Sequence, residues 1–419
     1  MTIANKLSPP TWMLEPDTER IFGALNEAGH TIRFVGGCIR DTIAGHTVSD
    51  IDLATDALPE RVSGVLSAAE IRVVPTGIDH GTVTALVGER AFEITTLRKD
   101  VATNGRRAQV EFTDDWYEDA ARRDFTFNAL SADRDGRVYD YFNGLEDLNA
   151  GKVRFIGDAL ERVKEDYLRI LRFFRFHAYF AKSGPDPESF AACRSAVTHV
   201  ETLSGERIWN ELSRTLVAPN PVFICQMMEE IGLLGLLLPV ERVVPRVEAL
   251  STLEKMLSLE PDPIRRLTAL IAPNRSQTLN IAARLKFSRA DTRRLENLIC
   301  NRGVWDMKIN GLSLRRALYS SSSDQVCDFI LLSWADEISS GTEGMRRSQK
   351  AWRDVWEIAS AWTSPEFPLD GRDIVEIGIK EGPMVGEILS EMEEWWVGQS
   401  FQPDRKACLT KLKRLVCRQ

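Results

Sequence analysis

Up to about residue 150 the apolar positions fall in short runs, TIRFVGG (31–37), IRVVP (71–75), GTVTALVG (81–88) and AFEITTL (91–97). Their length and β-branched content predict strands. Gly-Gly, Pro-Glu and Asn-Gly signals punctuate them. From about 151 the period changes: DYLRILRFFRFHAYF (166–180) and RIWNELSRTL (207–216) repeat apolar residues at helical spacing. Prolines at 185, 219, 239, 261 and 273 break the later stretches, and no strand is predicted after about 160. The pattern predicts an α/β head and an all-helical remainder, hence an α+β chain.

Composition narrows the class. A hydrophobic fraction of 43% and a charged fraction of 27% over 419 residues are those of a globular protein of two to four modules. No apolar run approaches the ~20 residues of a membrane span, and the start, MTIANKLSPPTW, lacks signal-peptide character, so a cytoplasmic location is expected. The seven cysteines show no CxxC spacing, which speaks for reduced thiols and against zinc. All five histidines lie at or before His199, excluding a His-Asp hydrolase site in the second half. A net charge of −8 argues against a chain coated in nucleic acid. Local basic stripes at 162–175 and 405–418 remain candidates for contact with it.

Candidate chemistry begins at Phe34-Val-Gly-Gly-Cys-Ile-Arg-Asp41. Paired glycines let backbone N–H groups approach phosphate oxygens, and a following helix start favours an anion. Gly37 and Arg40 are therefore candidate phosphate contacts; the competing reading is a tight turn beside a solvated arginine. Asp50 and Asp52 alternate on a predicted strand and would face one side, with Ile51 and Leu53 toward the core. Two carboxylates on one face repel unless a cation lies between them, and magnesium answers that need. Glu93, in the alternating run Phe92–Arg98, is either a third carboxylate beside the pair or an edge-strand glutamate. The segment 99–112, polar with Asn-Gly and Arg-Arg, reads as a mobile loop or hairpin. Arg122–Leu130 is expected to begin a helix, with Asp124 as a cap or a substrate contact.

Asp166, Arg169, Arg172 and Arg175 recur every third residue and would form one drifting polar stripe, while Leu168, Ile170, Leu171 and Phe174 imply burial. A self-paired, solvated stripe is the ordinary explanation. The functional alternative comes from base edges. Cytosine and adenine each present an amino donor beside a ring-nitrogen acceptor, so one carboxylate and one guanidinium satisfy either, at ~1–3 kcal/mol of discrimination. Guanine and uracil present the opposite order.

Together these segments resemble the class II tRNA nucleotidyltransferases, the CCA-adding enzymes, and the related bacterial poly(A) polymerases. The resemblance rests on GGCIRD with DID (36–52), RRDFTFNAL (122–130), DYFNG (140–144), EDYLRILRFFRF (165–176) and SGERIWNEL (204–212). It continues more weakly through ARLKFS (283–288) and GRDIVEIGIKEGPMVGEIL (371–389). It implies a polymerase-β-like nucleotidyltransferase head with a mixed β-sheet at 30–155, after an N-terminal extension (1–29). A helical neck (156–220) and a helical body and tail (221–419) would follow. By the same resemblance Asp50 and Asp52 hold Mg2+ and Gly37, Arg40 and Arg123 hold the triphosphate. Asp166 and Arg169 read the base of ATP or CTP, with Arg172 and Arg175 nearby on the nucleotide. The tRNA 3′ end and elbow are the implied partners. Gly77–Val83, with His80, resembles the CCA-adding branch, and 99–112 resembles its flexible loop. A-only addition, polyadenylation and non-catalytic RNA binding are the alternatives.

Overall fold

The computed structural model describes residues 3–78, 81–104, 107–272, 275–300, 311–340 and 348–416. Asp79 and His80, Gly105 and Arg106 of the expected hairpin, Pro273, and residues 417 and 418 of the basic tail fall outside them. The chain divides into two compact units, Met1–Pro239 with Arg284–Lys286, and Val240–Ala283 with Phe287–Gln419.

The first unit opens with β1 (Ile3–Lys6), α1 (Thr11–Leu14), α2 (Pro16–Glu27), β2 (Ile32–Val35), α3 (Gly37–Ala44) and β3 (Asp52–Thr55). Next come α4 (Pro59–Ala68), β4 (Arg72–Gly77), β5 (Thr82–Val87), β6 (Arg90–Thr96), β7 (Arg98–Asn104), β8 (Arg107–Phe112) and α5 (Trp116–Ala121). A 3-10 turn at Thr126–Ala129, β9 (Ser131–Ala132), β10 (Arg137–Tyr139) and α6 (Gly144–Ala150) complete the head. The helices α7 (Ala159–Glu165), α8 (Leu168–Phe180), α9 (Pro187–Ala196), α10 (Gly205–Leu216), α11 (Pro221–Glu230) and α12 (Leu233–Leu237) follow.

Eight strands form one sheet in the order β1-β10-β9-β2-β3-β6-β5-β4, and β7 with β8 forms a separate hairpin. The sheet is mixed: β3 and β6 run parallel while their other neighbours are antiparallel. Among the described residues no strand follows Tyr139, as the change of period predicted.

The expected N-terminal extension is part of the head. In α2, Thr18, Ile21, Phe22 and Leu25 occupy one face and are buried. Phe22 meets Phe34 of β2 at a ring separation of 4.7 Å, and β1 extends the sheet along β10. Burying three apolar side chains contributes several kcal/mol, so this segment is not a loose appendage. The expected boundary at 220/221 lies inside the first unit, because α11 packs on α8 and α10.

The segment Arg122–Leu130 makes a short 3-10 turn rather than the start of a helix. Its alternating Phe125 and Phe127 are fully buried, and Phe125 packs against Phe155 (4.7 Å) and Phe176 (5.2 Å). Anchoring both rings beneath α8 fixes this segment against the helix that carries the arginine stripe.

The second unit, taken alone, is helical from Val244–Met256 to Arg405–Val416. Its interior holds a network in which Glu254 accepts from Arg265 and Arg266, and Asp328 from Arg265 and Arg294. A separate cluster packs Ile374, Ile388, Met392, Trp396 and Leu412.

Candidate active site

Asp52 opens β3 and stands in parallel register with Glu93 of β6, so the two side chains share one sheet face. Asp50 lies two residues ahead of the strand, in irregular chain rather than on it. It nevertheless lines the same hollow as Asp52, Thr84, Arg90 and Glu93, a space of about 550 Å³. Leu53 is buried and Ile51 half-buried, as alternation requires. The Asp52 carboxylate reaches solvent but is crowded on a concave floor. Desolvation first, then Glu93 and Asp50, raise its pKa, with Arg123 opposing.

Among the described residues no three His, Cys, Asp or Glu side chains form a ready cation cage. Magnesium held by one or two carboxylates and completed by triphosphate oxygens needs none. The mutual repulsion at Asp52 is the feature that a divalent cation relieves, so the residues fit that ion.

Beside the hollow, β2 gives way to Gly36, whose φ of 71° and ψ of −121° only glycine adopts readily. A Cβ there would lie 2.8 Å from Arg123 Nη1. Gly37 then starts α3, and Arg40 on its first turn points back across the cleft. Arg40 Nη1 donates to Asn128 Oδ1 at 2.7 Å, and its other nitrogens donate to Asp41. Its guanidinium carbon lies 4.9 Å from the Phe176 and Phe180 rings. Arg123 donates to Asn128 O (3.3 Å) and Asp119 Oδ2 (3.2 Å).

Asp124 is buried and binds both sides of the site. It accepts from the Phe125 amide, Asn128 Nδ2 and Arg172 Nε at 2.9, 2.8 and 2.6 Å. Burial pushes its pKa up, but Arg172 and the bonds from Asn128 and Phe125 outweigh that and hold it at about 2.

Above this floor runs α8, with Ile170, Leu171 and Phe174 buried and Leu168 half-buried. Asp166 precedes the helix rather than lying on it. Its Oδ1 accepts from the Leu168 amide (3.1 Å) and its Oδ2 from Arg207 (2.6 Å). Arg169 pairs with Glu165 and donates to the Arg162 carbonyl. Arg172 binds Asp124, and Arg175 binds the buried Glu211 at 2.5 Å. The stripe is thus paired, though mostly to carboxylates of other elements rather than along its own helix.

One cleft of about 460 Å³ gathers Gly36, Gly37, Arg40, Asp52, Arg123, Asp124, Asn128, Asp166, Arg169, Arg172, Arg175 and Phe176. Five arginines line it with three aspartates; each guanidinium is held by a carboxylate, and its remaining N–H groups suit a triphosphate. Every expected residue except Asp50 and Glu93 lines this cleft, and those two line the adjoining hollow, with Asp52 common to both. The sequence reading missed Asn128, Asp119 and Glu211. Asn128 was visible within RRDFTFNAL. Glu211 lies four residues after Arg207, one turn along the same face of α10.

Comparison with known proteins fits this geometry. A model described as "Poly A polymerase head domain" matches residues 32–154, and "Probable RNA and SrmB- binding site of polymerase A" matches 185–241. The human "CCA tRNA nucleotidyltransferase 1, mitochondrial" is 35% identical over 392 residues, covering 92% of this chain and 87% of the relative. The zebrafish (Danio rerio) protein of that name is also 35% identical, over 387 residues, or 91% of this chain and 87% of the relative. The chain belongs to the CCA-adding tRNA nucleotidyltransferase family. A CCA-adding enzyme of Streptococcus pneumoniae is 30% identical over 91% of this chain and 93% of its own length. Among solved structures, the Bacillus stearothermophilus CCA-adding enzyme in complex with CTP superposes with a TM-score of 0.71. It is 23% identical and covers 96% of this chain and 99% of its own. The Thermotoga maritima enzyme complexed with tRNA gives 0.68 at 18% identity, covering 98% and 100%. The fold is that of the family, a polymerase-β-like head followed by helices. No helix of the described residues is long and apolar enough to cross a membrane.

Proposed function

We propose that this chain adds C, C and A in turn to the 3′ end of tRNA, using CTP and ATP and no nucleic-acid template. The observation that carries the reading is the junction at Asp52. There a carboxylate hollow shared with Asp50 and Glu93 meets a cleft where five arginines converge below α8.

In the reaction the acceptor's 3′-hydroxyl oxygen attacks the α-phosphorus of the incoming nucleotide. A new P–O bond forms while the bond from that phosphorus to the β-phosphate bridging oxygen breaks. The hydroxyl proton leaves toward the carboxylates of the hollow, and pyrophosphate departs with the electron pair. Mg2+, held by Asp50 and Asp52, supplies charge neutralisation and hydroxyl activation when bound. Gly37 and the α3 start offer backbone N–H groups to the triphosphate, and Arg40 and Arg123 add guanidinium contacts. Glu93 is the third carboxylate of the pair rather than an edge glutamate; its register with Asp52 supports that role. Asp166 and Arg169 read the amino and ring-nitrogen edge common to C and A. Arg172 and Arg175 flank the nucleotide. We assign 30–155, with the N-terminal segment packed on it, to the nucleotidyltransferase head, 156–239 to the neck, and the second unit to a body and tail that grip the tRNA elbow through phosphates. The helix Arg405–Val416, with Lys406, Lys413 and Arg414 exposed, supports that grip. The compartment we propose is the cytoplasm; the six described cysteines are free thiols, which suits a reducing environment.

The test is a nucleotide-omission assay on tRNA ending at the discriminator base. CTP alone should append two residues, ATP alone none, and both together three. Untouched CTP with ATP incorporated after a completed CC end would convert the reading to A-addition. No incorporation of either nucleotide by folded protein would remove it.

A further inference from the structure

We infer that Asp119 is a positioning residue that couples the root of the β7–β8 hairpin to the Arg123 guanidinium. The inference rests on the proposed role of Arg123 in holding the triphosphate. Asp119 lies on α5, is 3% exposed, and its two oxygens serve different masters. Oδ2 accepts from Arg123 Nη2 at 3.2 Å. Oδ1 accepts from Arg122 Nε at 2.9 Å and from the amide of Arg98, the first residue of β7, at 3.3 Å. Both guanidiniums hold its carboxyl below the ordinary range despite burial.

The neighbouring Glu118 completes the arrangement. Its Oε2 accepts from Thr113 Oγ1 at 2.6 Å, and the Thr113 amide donates to Leu97 O at 2.9 Å. One short helix therefore ties both ends of the hairpin root. The chain leaving that helix, four residues beyond Asp119, carries the arginine that faces Asp52. A displacement of Arg98 tilts the Asp119 carboxylate, and the guanidinium bonded to its other oxygen must follow or lose its partner. A buried charge-assisted bond has directional tolerance of only tens of degrees, so small shifts transmit.

The test measures CTP addition by Asp119→Asn, Asp119→Glu, Arg123→Ala and the Asp119→Asn/Arg123→Ala double variant on tRNA lacking its 3′ end, with Mg2+. Asp119→Asn should raise KM for CTP about tenfold, the size of one weakened charge-assisted contact, with kcat changed less. Asp119→Glu, which keeps the charge, should restore much of it and carries the measurement if the Asn variant does not fold. The double variant should be no worse than Arg123→Ala alone. Additive losses, or a lowered thermal midpoint with unchanged KM, would overturn the inference. An unchanged KM in Arg123→Ala would instead remove the triphosphate role and the inference with it. Amide exchange at Arg98 should accelerate in Asp119→Ala while that at Leu97, bonded to Thr55 O, keeps its rate. Equal acceleration at both would overturn the coupling to the hairpin.

Discussion

Replacing Asp124 by Asn removes one charge and nothing else in volume. The Phe125 amide and Asn128 keep their acceptor, since the Asn oxygen can occupy the Oδ1 position. The amide nitrogen then faces Arg172, whose remaining partner, Glu211 Oε1, stands at 3.8 Å. Two routes give the size of the loss. Removing one member of a buried pair costs ~3–5 kcal/mol, reduced because the Arg172 side chain keeps 31% exposure. Independently, the fall of the Asp124 pKa from 3.8 to about 2 corresponds to about 2.5 kcal/mol at neutral pH. The sign follows from a depressed carboxyl. Its stabilisation is fully present well above pH 3.8 and is lost as pH falls through about 2. Wild type should therefore exceed the variant by about 2.5 kcal/mol at pH 7 and by roughly half that at pH 3. Urea unfolding followed by circular dichroism measures this, fitted with one transition or two as the data require. The difference is taken from the transition that moves. A gap below about 0.5 kcal/mol at pH 7, the scale of an exposed pair, would refute the claim that this carboxylate is held ionised by Arg172. So would a gap that does not narrow in acid.

Gly36→Ala should lower the thermal midpoint and weaken nucleotide binding together. The positive φ costs about 1–2 kcal/mol, and the new Cβ displaces Arg123 Nη1, 2.8 Å away; a midpoint shift with intact CTP affinity would contradict the second half. His177 is buried on the inner face of α8 with neither ring nitrogen hydrogen-bonded, and burial lowers its pKa to about 4. Neutral in the fold, it contributes stability above pH 6.5 that is lost as pH falls through about 4, about 3 kcal/mol in all. Stability measured against pH should flatten over that window in His177→Leu. Arg169→Ala should erode selection of C and A against G and U by about tenfold or more, read by misincorporation with single nucleotides; unchanged selectivity would move base reading elsewhere.

The parts of the fold legible in sequence were those whose signal is local. Strands β2, β5 and β6 coincide with short β-branched runs, and α8 with the spacing of Ile170, Leu171 and Phe174. The parallel pairing of β3 with β6 was not legible, because strand order is decided by contacts some forty residues apart. Strands β9 and β10, two and three residues long, are too short to show alternation. The Arg122–Leu130 segment misled for a related reason. Its composition allows a helix, but Phe125 and Phe127 alternate, and burying both against α8 selects an extended entry and a tight turn. For the stripe, sequence gave each charge but not its partner, since Arg172 meets a carboxylate 48 residues back and Arg175 one 36 residues ahead.

Those partners explain how the site can serve a triphosphate. Arg40, Arg123, Arg172 and Arg175 are each bonded to a protein acceptor, three of them to carboxylates that are themselves buried. A guanidinium fixed in this way loses little side-chain freedom when a phosphate arrives at its remaining N–H groups, so less of the binding energy is spent on ordering it. The charge balance is different at the carboxylates. Asp52 is the group whose neighbours raise its pKa through like charge, with only Arg123 opposing. Positive charge is therefore matched by carboxylates in the arginine cleft and lacking at the Asp52 hollow. On the proposed reading, Asp50 and Asp52 would hold a divalent cation that offsets that imbalance, which would tie catalysis to the presence of substrate.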